Sequence, residues 1–251
     1  MTKAGFRTDT GMVRGNNEDA MLVLPSSGIY AVADGVGGHN SGEWASRKAV
    51  GGVERFVRVR PVADVHGTGD AGMADAALME YFLRCFREIN AEILALSLEG
   101  QANRGMATTL VLAHVHGERL YVVNVGDSRA YIVRNGGISQ ITIDHTVVNR
   151  MVSLGDLTAE EARFHPRKNE ITRALGAEES VLPDFFVTGL VAGDRVLLCS
   201  DGLHGELSDG EICGICSEGG DLNRICESLV AAANRSGGRD NISVICVEID
   251  L

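Results

Sequence analysis

Proline is scarce, four in 251 residues, and no Pro-rich linker, internal repeat or low-complexity tract divides the chain. One domain is therefore expected over residues 1–251. No run of about 20 apolar residues occurs, so no membrane-spanning helix is expected. The N-terminal MTKAGFRTDTGMVRGNNEDA has no apolar core of signal-peptide length, which points to the cytoplasm. Positive charge is in deficit: 23 Lys and Arg stand against 34 Asp and Glu, a net charge of −11. That balance disfavours binding of nucleic acid by phosphate neutralisation and docking on an anionic membrane surface. The apolar fraction of 45% is that of a globular chain.

A complete cysteine metal-site pattern is also missing. Cys213-Gly-Ile-Cys216 has redox or zinc spacing, but no second pair or His follows at zinc-site distance. Ser208 and Glu211 form a capping box just before it, and Ile212, Ile215 and Cys216 fall on one helical face. A buried helix is expected there, with reduced thiols. His114 and His116 share one strand face without a third ligand, so packing or surface histidines are expected rather than zinc.

What is present is a recurring device. In IYAVADGVGGHNSGEWAS an apolar strand, Ile29 to Ala33, runs into Asp34-Gly35, and a helix opens near Ser41. A carboxylate at the end of a buried strand is costly unless something pairs with it. The preceding strand, Ala20 to Leu24, turns through Pro25-Ser-Ser-Gly28 as a hairpin. Symmetric closure of that loop places Leu24 opposite Ile29 and therefore Asp19 opposite Asp34. Like charges facing each other across a ladder repel, so this end of the hairpin calls for a cation. The device recurs at Tyr121 to Val125 before Asp127, and in DRVLLCSDG before Asp201; Asp240 precedes the last strand, Ile242 to Ile249.

Between these stretches, helices are expected over residues 41–57, 74–98 and about 222–234. Leu78, Phe82, Cys85, Ile89, Ile93 and Leu96 form the apolar stripe of the second. An Asn135-Gly136 hairpin turn follows Asp127. Residues 144–180 are polar, with a capping box at Thr158 and Glu161, and read as an embedded helical flap. Hairpins grouped between amphipathic helices give an α+β layered domain of antiparallel sheets. The acids are expected at one edge of a sheet, where all-oxygen ligation favours Mg²⁺ or Mn²⁺. Two such ions can clamp a water for attack on phosphorus, and Arg14 can grip phosphate oxygens. Each acid alone would be a turn residue, and Asp127 beside Arg129 a surface ion pair; their combination carries the reading.

VRGNNEDA, ADGVGGHNSGEWAS, GMATTLV, VNVGDSRAYIVRNG, LLCSDGL and GGRDNISVICVEI together resemble the metal-dependent protein phosphatase 2C family in its compact bacterial form. The six stretches occur in the family's order and cover the chain from end to end. The resemblance implies a four-layer αββα sandwich, two antiparallel sheets flanked by helices. It implies hydrolysis of phosphoserine and phosphothreonine on proteins by a metal-activated water, without a phosphoenzyme, opposing a bacterial Ser/Thr kinase. It further implies that Asp34 bridges two Mn²⁺ or Mg²⁺ ions, with Asp201 and Asp240 at the first. The Gly35 carbonyl and either Glu18 or Asp19 would serve the second, and Asp127 with Asp201 a weaker third. Arg14 would hold the phosphate, and the flap would influence substrate choice. A monomer acting on phosphoproteins is expected. Two departures stand out: Val36 replaces a frequent His, leaving His39 as a candidate acid for the leaving alkoxide, and Ala107 stands where Gly is usual. A non-catalytic phosphoprotein sensor on the same fold, or an enzyme restricted to one partner, are the rival readings.

Overall fold

The computed structural model describes residues 2–37, 41–65, 71–100 and 103–251. Among them eleven strands and seven α-helices follow in order. The strands are Lys3–Asp9 (β1), Asp19–Leu24 (β2), Ile29–Val36 (β3), Ala107–Thr108 (β4), Leu110–His116 (β5), Arg119–Val125 (β6), Arg129–Arg134 (β7), Gly137–Gln140 (β8), Asp184–Gly189 (β9), Arg195–Cys199 (β10) and Ile242–Glu248 (β11). The helices are Ser41–Val59 (α1), Ala71–Leu98 (α2), Val147–Leu154 (α3), Ala159–Phe164 (α4), Asp201–His204 (α5), Asp209–Cys216 (α6) and Leu222–Ser236 (α7).

Two antiparallel sheets form, one ordered β1-β11-β10-β7-β8 and the other β2-β3-β5-β6-β9, with β4 on β3. Strand alternation sorts the side chains into three apolar layers. Ile29, Ala31 and Ala33 pack under α1 and α2, with Ala45, Ala49, Leu78, Phe82 and Ile89. Leu197, Cys199, Val244 and Cys246 pack under α6 and α7. Tyr30, Val32, Val111 and Val122 of one sheet meet Ala130, Val196, Leu198, Ile245 and Val247 of the other. The four-layer αββα sandwich follows directly from these three interfaces. Gly52 lets α1 approach α2 closely, since a Cβ there would lie 2.7 Å from Ile89 Cγ1.

The hairpin closes as the loop length requires. Pro25–Ser27 make a 3₁₀ turn, Gly28 takes φ 61°, and the register pairs Leu24 with Ile29 and Asp19 with Asp34. Asn135 and Gly136 turn with φ 51° and 73°. Both capping boxes form, at Thr158 with Glu161 and at Ser208 with Glu211. All six cysteines are free and buried, and Cys213 and Cys216 lie on the buried face of α6. His114 is buried and stacks beside His116, a packing pair.

Several boundaries differ from expectation. β3 continues through Asp34 and Gly35 to Val36 rather than ending at Ala33, because β4 and the backbone of Glu18 pair with its last residues. Asp201 opens a helical turn, with Ser200 at the position before it, instead of ending a strand. β1 and β9 carried no apolar alternation to announce them: both lie at sheet edges, and most of their residues keep some exposure. Residues 66–70, between the first two expected helices, lie outside the described residues.

Phe82 is fully buried between the helices and the sheet. Replacing it with Ala is expected to destabilise the protein by about 3–5 kcal/mol. Urea unfolding would check this; a loss below about 1 kcal/mol would show that this layer is not the close-packed core described.

Candidate active site

The acids do not gather along the edge of one sheet. They gather at one end of the seam between the two. On β3, Asp34 follows Tyr30 and Val32 on the inter-sheet face, and its ladder partner Asp19 shares that face with Met21 and Val23. From the other sheet, Ser200 continues the Val196 and Leu198 face, and Ser243 that of Ile245 and Val247. Asp201 directly follows Ser200 and Asp240 stands just before β11, three positions ahead of Ser243, so strands of both sheets deliver acids to one place.

Hydroxyl groups stitch the seam. Ser200 Oγ donates to Asp19 Oδ2 at 2.7 Å and accepts from the Ser243 amide at 3.0 Å. The Asp34 amide donates to Thr109 Oγ1 at 3.0 Å, and the Asp34 carbonyl accepts from Thr108 Oγ1 at 2.8 Å. Thr109 in turn meets Ser128 at 2.7 Å, beside Asp127. Asn241 accepts from the Glu18 amide at 2.8 Å and donates to the carbonyls of Thr10 and Asn16 at 2.9 Å each. It orients the loop before Glu18. His204, half-buried, lies 3.0 Å from the Asp127 carbonyl. Ser200, Ser243, Thr108, Thr109 and His204 were not singled out from sequence. The available signal was a hydroxyl at an inward position of an apolar strand.

Glu18 and Asp19 occupy different surroundings. Asp19 is buried and braced by Ser200. Gly42 at the start of α1 shows where Glu18 lies: a Cβ there would sit 2.6 Å from Glu18 Oε2 and 2.9 Å from the Gly35 carbonyl oxygen. Those two oxygens therefore flank one point. Gly35 must be glycine for this approach, since its own Cβ would fall 2.1 Å from the Gly42 carbonyl.

The acids are electrostatically frustrated. Burial, then the charges of Asp19, Asp201, Asp127 and Asp240, push the Asp34 carboxyl well above its ordinary range. Burial raises Asp19 to about 7 against its serine hydrogen bonds, and neighbouring Asp201 and Asp240 add to the rise. Asp127 rises to about 8 through burial and then Asp201. Asp201 rises to about 6 through burial and then Asp240. Asp19 Oδ1 and Asp201 Oδ1 are buried without any hydrogen-bond partner. Such atoms carry a large desolvation cost unless a donor or a cation reaches them.

Arg14 reaches Asp240 at 2.7 Å while keeping its side chain 53% exposed. Arg129 pairs with Asp144 at 2.6 Å, so the suggested ion pair of Asp127 with Arg129 does not form. Among the described residues, no three His, Cys, Asp or Glu side chains are gathered tightly enough to hold an ion as they stand. The donor set still fits a hard divalent cation: clustered carboxylate oxygens, a close-packed carbonyl and two orphaned acceptors, with no sulfur or imidazole. Ala107 is buried in β4 opposite Val36, so the methyl is accommodated. His39 lies outside the described residues.

Comparison with known proteins bears on this arrangement. The model for the family described as Protein phosphatase 2C matches residues 14–242. The serine/threonine phosphatase stp of Listeria monocytogenes serotype 4b (strain F2365) is 37% identical over 251 residues, covering 99% of this chain and 96% of that one. The crystal structure of the serine/threonine phosphatase Stp1 from Staphylococcus aureus superposes with a TM-score of 0.89 at 32% identity, over 100% of this chain and 96% of that one. The catalytic domain of the serine/threonine protein phosphatase PstP, solved in complex with two manganese ions, gives 0.80 at 35% identity over 99% of each chain. A seam of inter-sheet carboxylates in an αββα sandwich, matched in sequence over nearly its whole length, places this chain in the protein phosphatase 2C family.

Proposed function

We propose that this metal-dependent serine/threonine phosphatase works through the acids of the inter-sheet seam, within one catalytic domain over residues 1–251 that carries 144–180 as its flap. Asp34 would bridge two Mn²⁺ or Mg²⁺ ions, with Asp201 and Asp240 at one of them. The Gly35 carbonyl and Glu18 would serve the other, because these oxygens flank one point at Gly42 while Asp19 is engaged with Ser200. Asp19 then acts as a buried anionic brace, and Asp127 with Asp201 provides the weaker third position. The orphaned Asp201 Oδ1, in a cluster whose Glu18 and Gly35 oxygens flank one point, is the observation that carries the cation reading. Bound there, the ions supply Lewis-acid charge that lowers the pKa of water and offsets the charge of the phosphoryl oxygens.

The chain's own residues do the rest. Arg14, at the exposed rim, presents N–H groups that can leave Asp240 for a substrate phosphate and fix its orientation. Asn241 and the Glu18 backbone hold the loop on which Arg14 stands. Thr108 and Thr109 hold the backbone of Asp34, so its carboxylate is preorganised. His39 is the group assigned to return a proton to the leaving serine or threonine alkoxide. The substrates are phosphoproteins, in the setting of a bacterial Ser/Thr kinase and its targets; the protein is a cytoplasmic monomer.

Release of phosphate from a phosphothreonine peptide is expected with Mn²⁺ or Mg²⁺ and is lost with chelator. Loss of a partner surrounding a metal costs roughly 10–100-fold, so Asp34→Asn or Asp201→Asn should cost more than about 100-fold in kcat/KM. Near-normal turnover by either variant with metal still required would overturn the assignment. Arg14→Ala removes a charge-assisted hydrogen bond of about 1.5–3 kcal/mol and should lower kcat/KM roughly 10–100-fold. An unchanged KM for the peptide would remove Arg14 from phosphate binding.

The metal-free protein should also be pH-sensitive in a defined direction. Acids whose folded pKa is raised favour the folded state fully below their unfolded value of about 4. That stability is lost as pH rises through the folded values of about 6, 7 and 8 for Asp201, Asp19 and Asp127. In chelator the melting temperature should therefore fall between pH 5.5 and 8.5, while stabilisation by Mn²⁺ grows. Asp34→Asn should flatten the metal-free slope; a variant with the wild-type slope would count against mutual repulsion as its cause.

A further inference from the structure

We propose that His145 is a positioning residue that ties the base of the flap segment to the turn carrying Asp127, making flap seating and the Asp127 cation position one mechanical unit. The proposal rests on the reading of Asp127 as a metal ligand.

All four polar groups of His145 are engaged, two inward and two outward. Inward, its backbone amide donates to the Gly126 carbonyl at 3.0 Å, and its Nδ1 accepts from the Gly126 amide at 3.1 Å. The two peptide groups that flank Gly126, the second of them leading into Asp127, are thus both held by a single residue. Asn124 Nδ2 adds a further bond to the Gly126 carbonyl at 3.1 Å. Outward, the His145 carbonyl accepts from the Thr172 amide at 2.7 Å, and Nε2 faces Asp184 Oδ2 on β9 at 3.2 Å. Thr146 beside it caps α3 and bridges to Ile171, so both chains of the flap base meet at this residue.

Gly126 has no side chain of its own with which to hold this turn, so bonds to its backbone from His145 and Asn124 do so. Gly126 has φ +106°, and a Cβ would lie 2.5 Å from Thr109 Cγ2, so only glycine fits and only backbone hydrogen bonds can fix it. The tautomer is determined by the geometry. With Nδ1 accepting, the proton sits on Nε2, which faces Asp184 Oδ2 at 3.2 Å and has Arg173 Nη1 at 3.0 Å, the same Arg173 that Asp184 holds at 2.7 Å. Burial and the charge of Arg173 favour this neutral ring, against the pull of Asp184 and Asp144.

Two half-replacements separate the inward and outward contacts. In His145→Asn, Oδ1 can take the place of Nδ1 on Gly126 while the link to Asp184 is lost. In His145→Gln, the longer amide reaches toward Asp184 and abandons Gly126. Mn²⁺ binding is counted by calorimetry and by electron paramagnetic resonance of free Mn²⁺, and flap accessibility by limited proteolysis within 147–170. His145→Gln should weaken the weakest Mn²⁺ equivalent by about 10–100-fold, leaving the tighter ones unchanged. His145→Asn should keep Mn²⁺ binding within about threefold but be cut faster in the flap. Wild-type Mn²⁺ binding by His145→Gln, or unchanged flap cutting in His145→Asn, would overturn the proposal; the second readout stands even where the Gln variant does not fold. Asp127→Asn separates the two levels of inference. If it leaves every Mn²⁺ equivalent in place, Asp127 is not a ligand and the proposal falls with that reading.

Discussion

Burial of several carboxylates at the end of a seam between two sheets is the constraint on which the rest of the structure depends. Asp19, Asp34, Asp127 and Asp201 all have their pKa values raised chiefly by burial, and each is raised further by other acids of the group. Such a cluster opposes folding on its own, because desolvation and mutual repulsion act in the same direction. It persists because the apolar seam behind it, from Tyr30 and Val32 to Ile245 and Val247, forces those strand ends together. The cost is the source of function: the acids are held where an incoming cation relieves both penalties at once.

Rigidity around the cluster comes from short polar links rather than from ion pairs. Ser200 and Ser243 join the sheets through Asp19, and Thr108 and Thr109 fix the backbone of Asp34. Asn241 ties the N-terminal loop to the last strand. Each link is a neutral donor or acceptor with little conformational freedom, so it can order a charged group without cancelling the charge a metal would use. Ion pairs elsewhere are mostly partly exposed, as at Arg84 with Glu88, and serve the surface. Arg14 differs in being exposed yet joined to a seam acid, which keeps a phosphate-binding group at the mouth.

The hairpin shows how much a local rule can fix. A four-residue loop sets a symmetric register, and the opposition of Asp19 and Asp34 follows without knowledge of any other strand. The α2 stripe, both capping boxes and the turn at Asn135 and Gly136 were legible for the same reason: each rests on residues within a few positions of one another. β1 and β9 were not legible, because partly exposed edge strands carry no apolar alternation. Nor was the pairing of Arg129 with Asp144 rather than Asp127, since the partner lies across a hairpin.

The sequence by itself determined the acids, the hairpin register, the order of elements and the family resemblance, because local spacing and motif order are properties of the chain. Only the tertiary structure decided that the acids meet between two sheets, where strands β3 and β11 approach from different layers. It alone separated Glu18, beside the Gly35 carbonyl, from Asp19, braced by Ser200. Adjacent residues on a strand point to opposite faces, yet which face becomes the seam depends on how the second sheet packs. That is a long-range choice made by the apolar interface, and no local pattern encodes it.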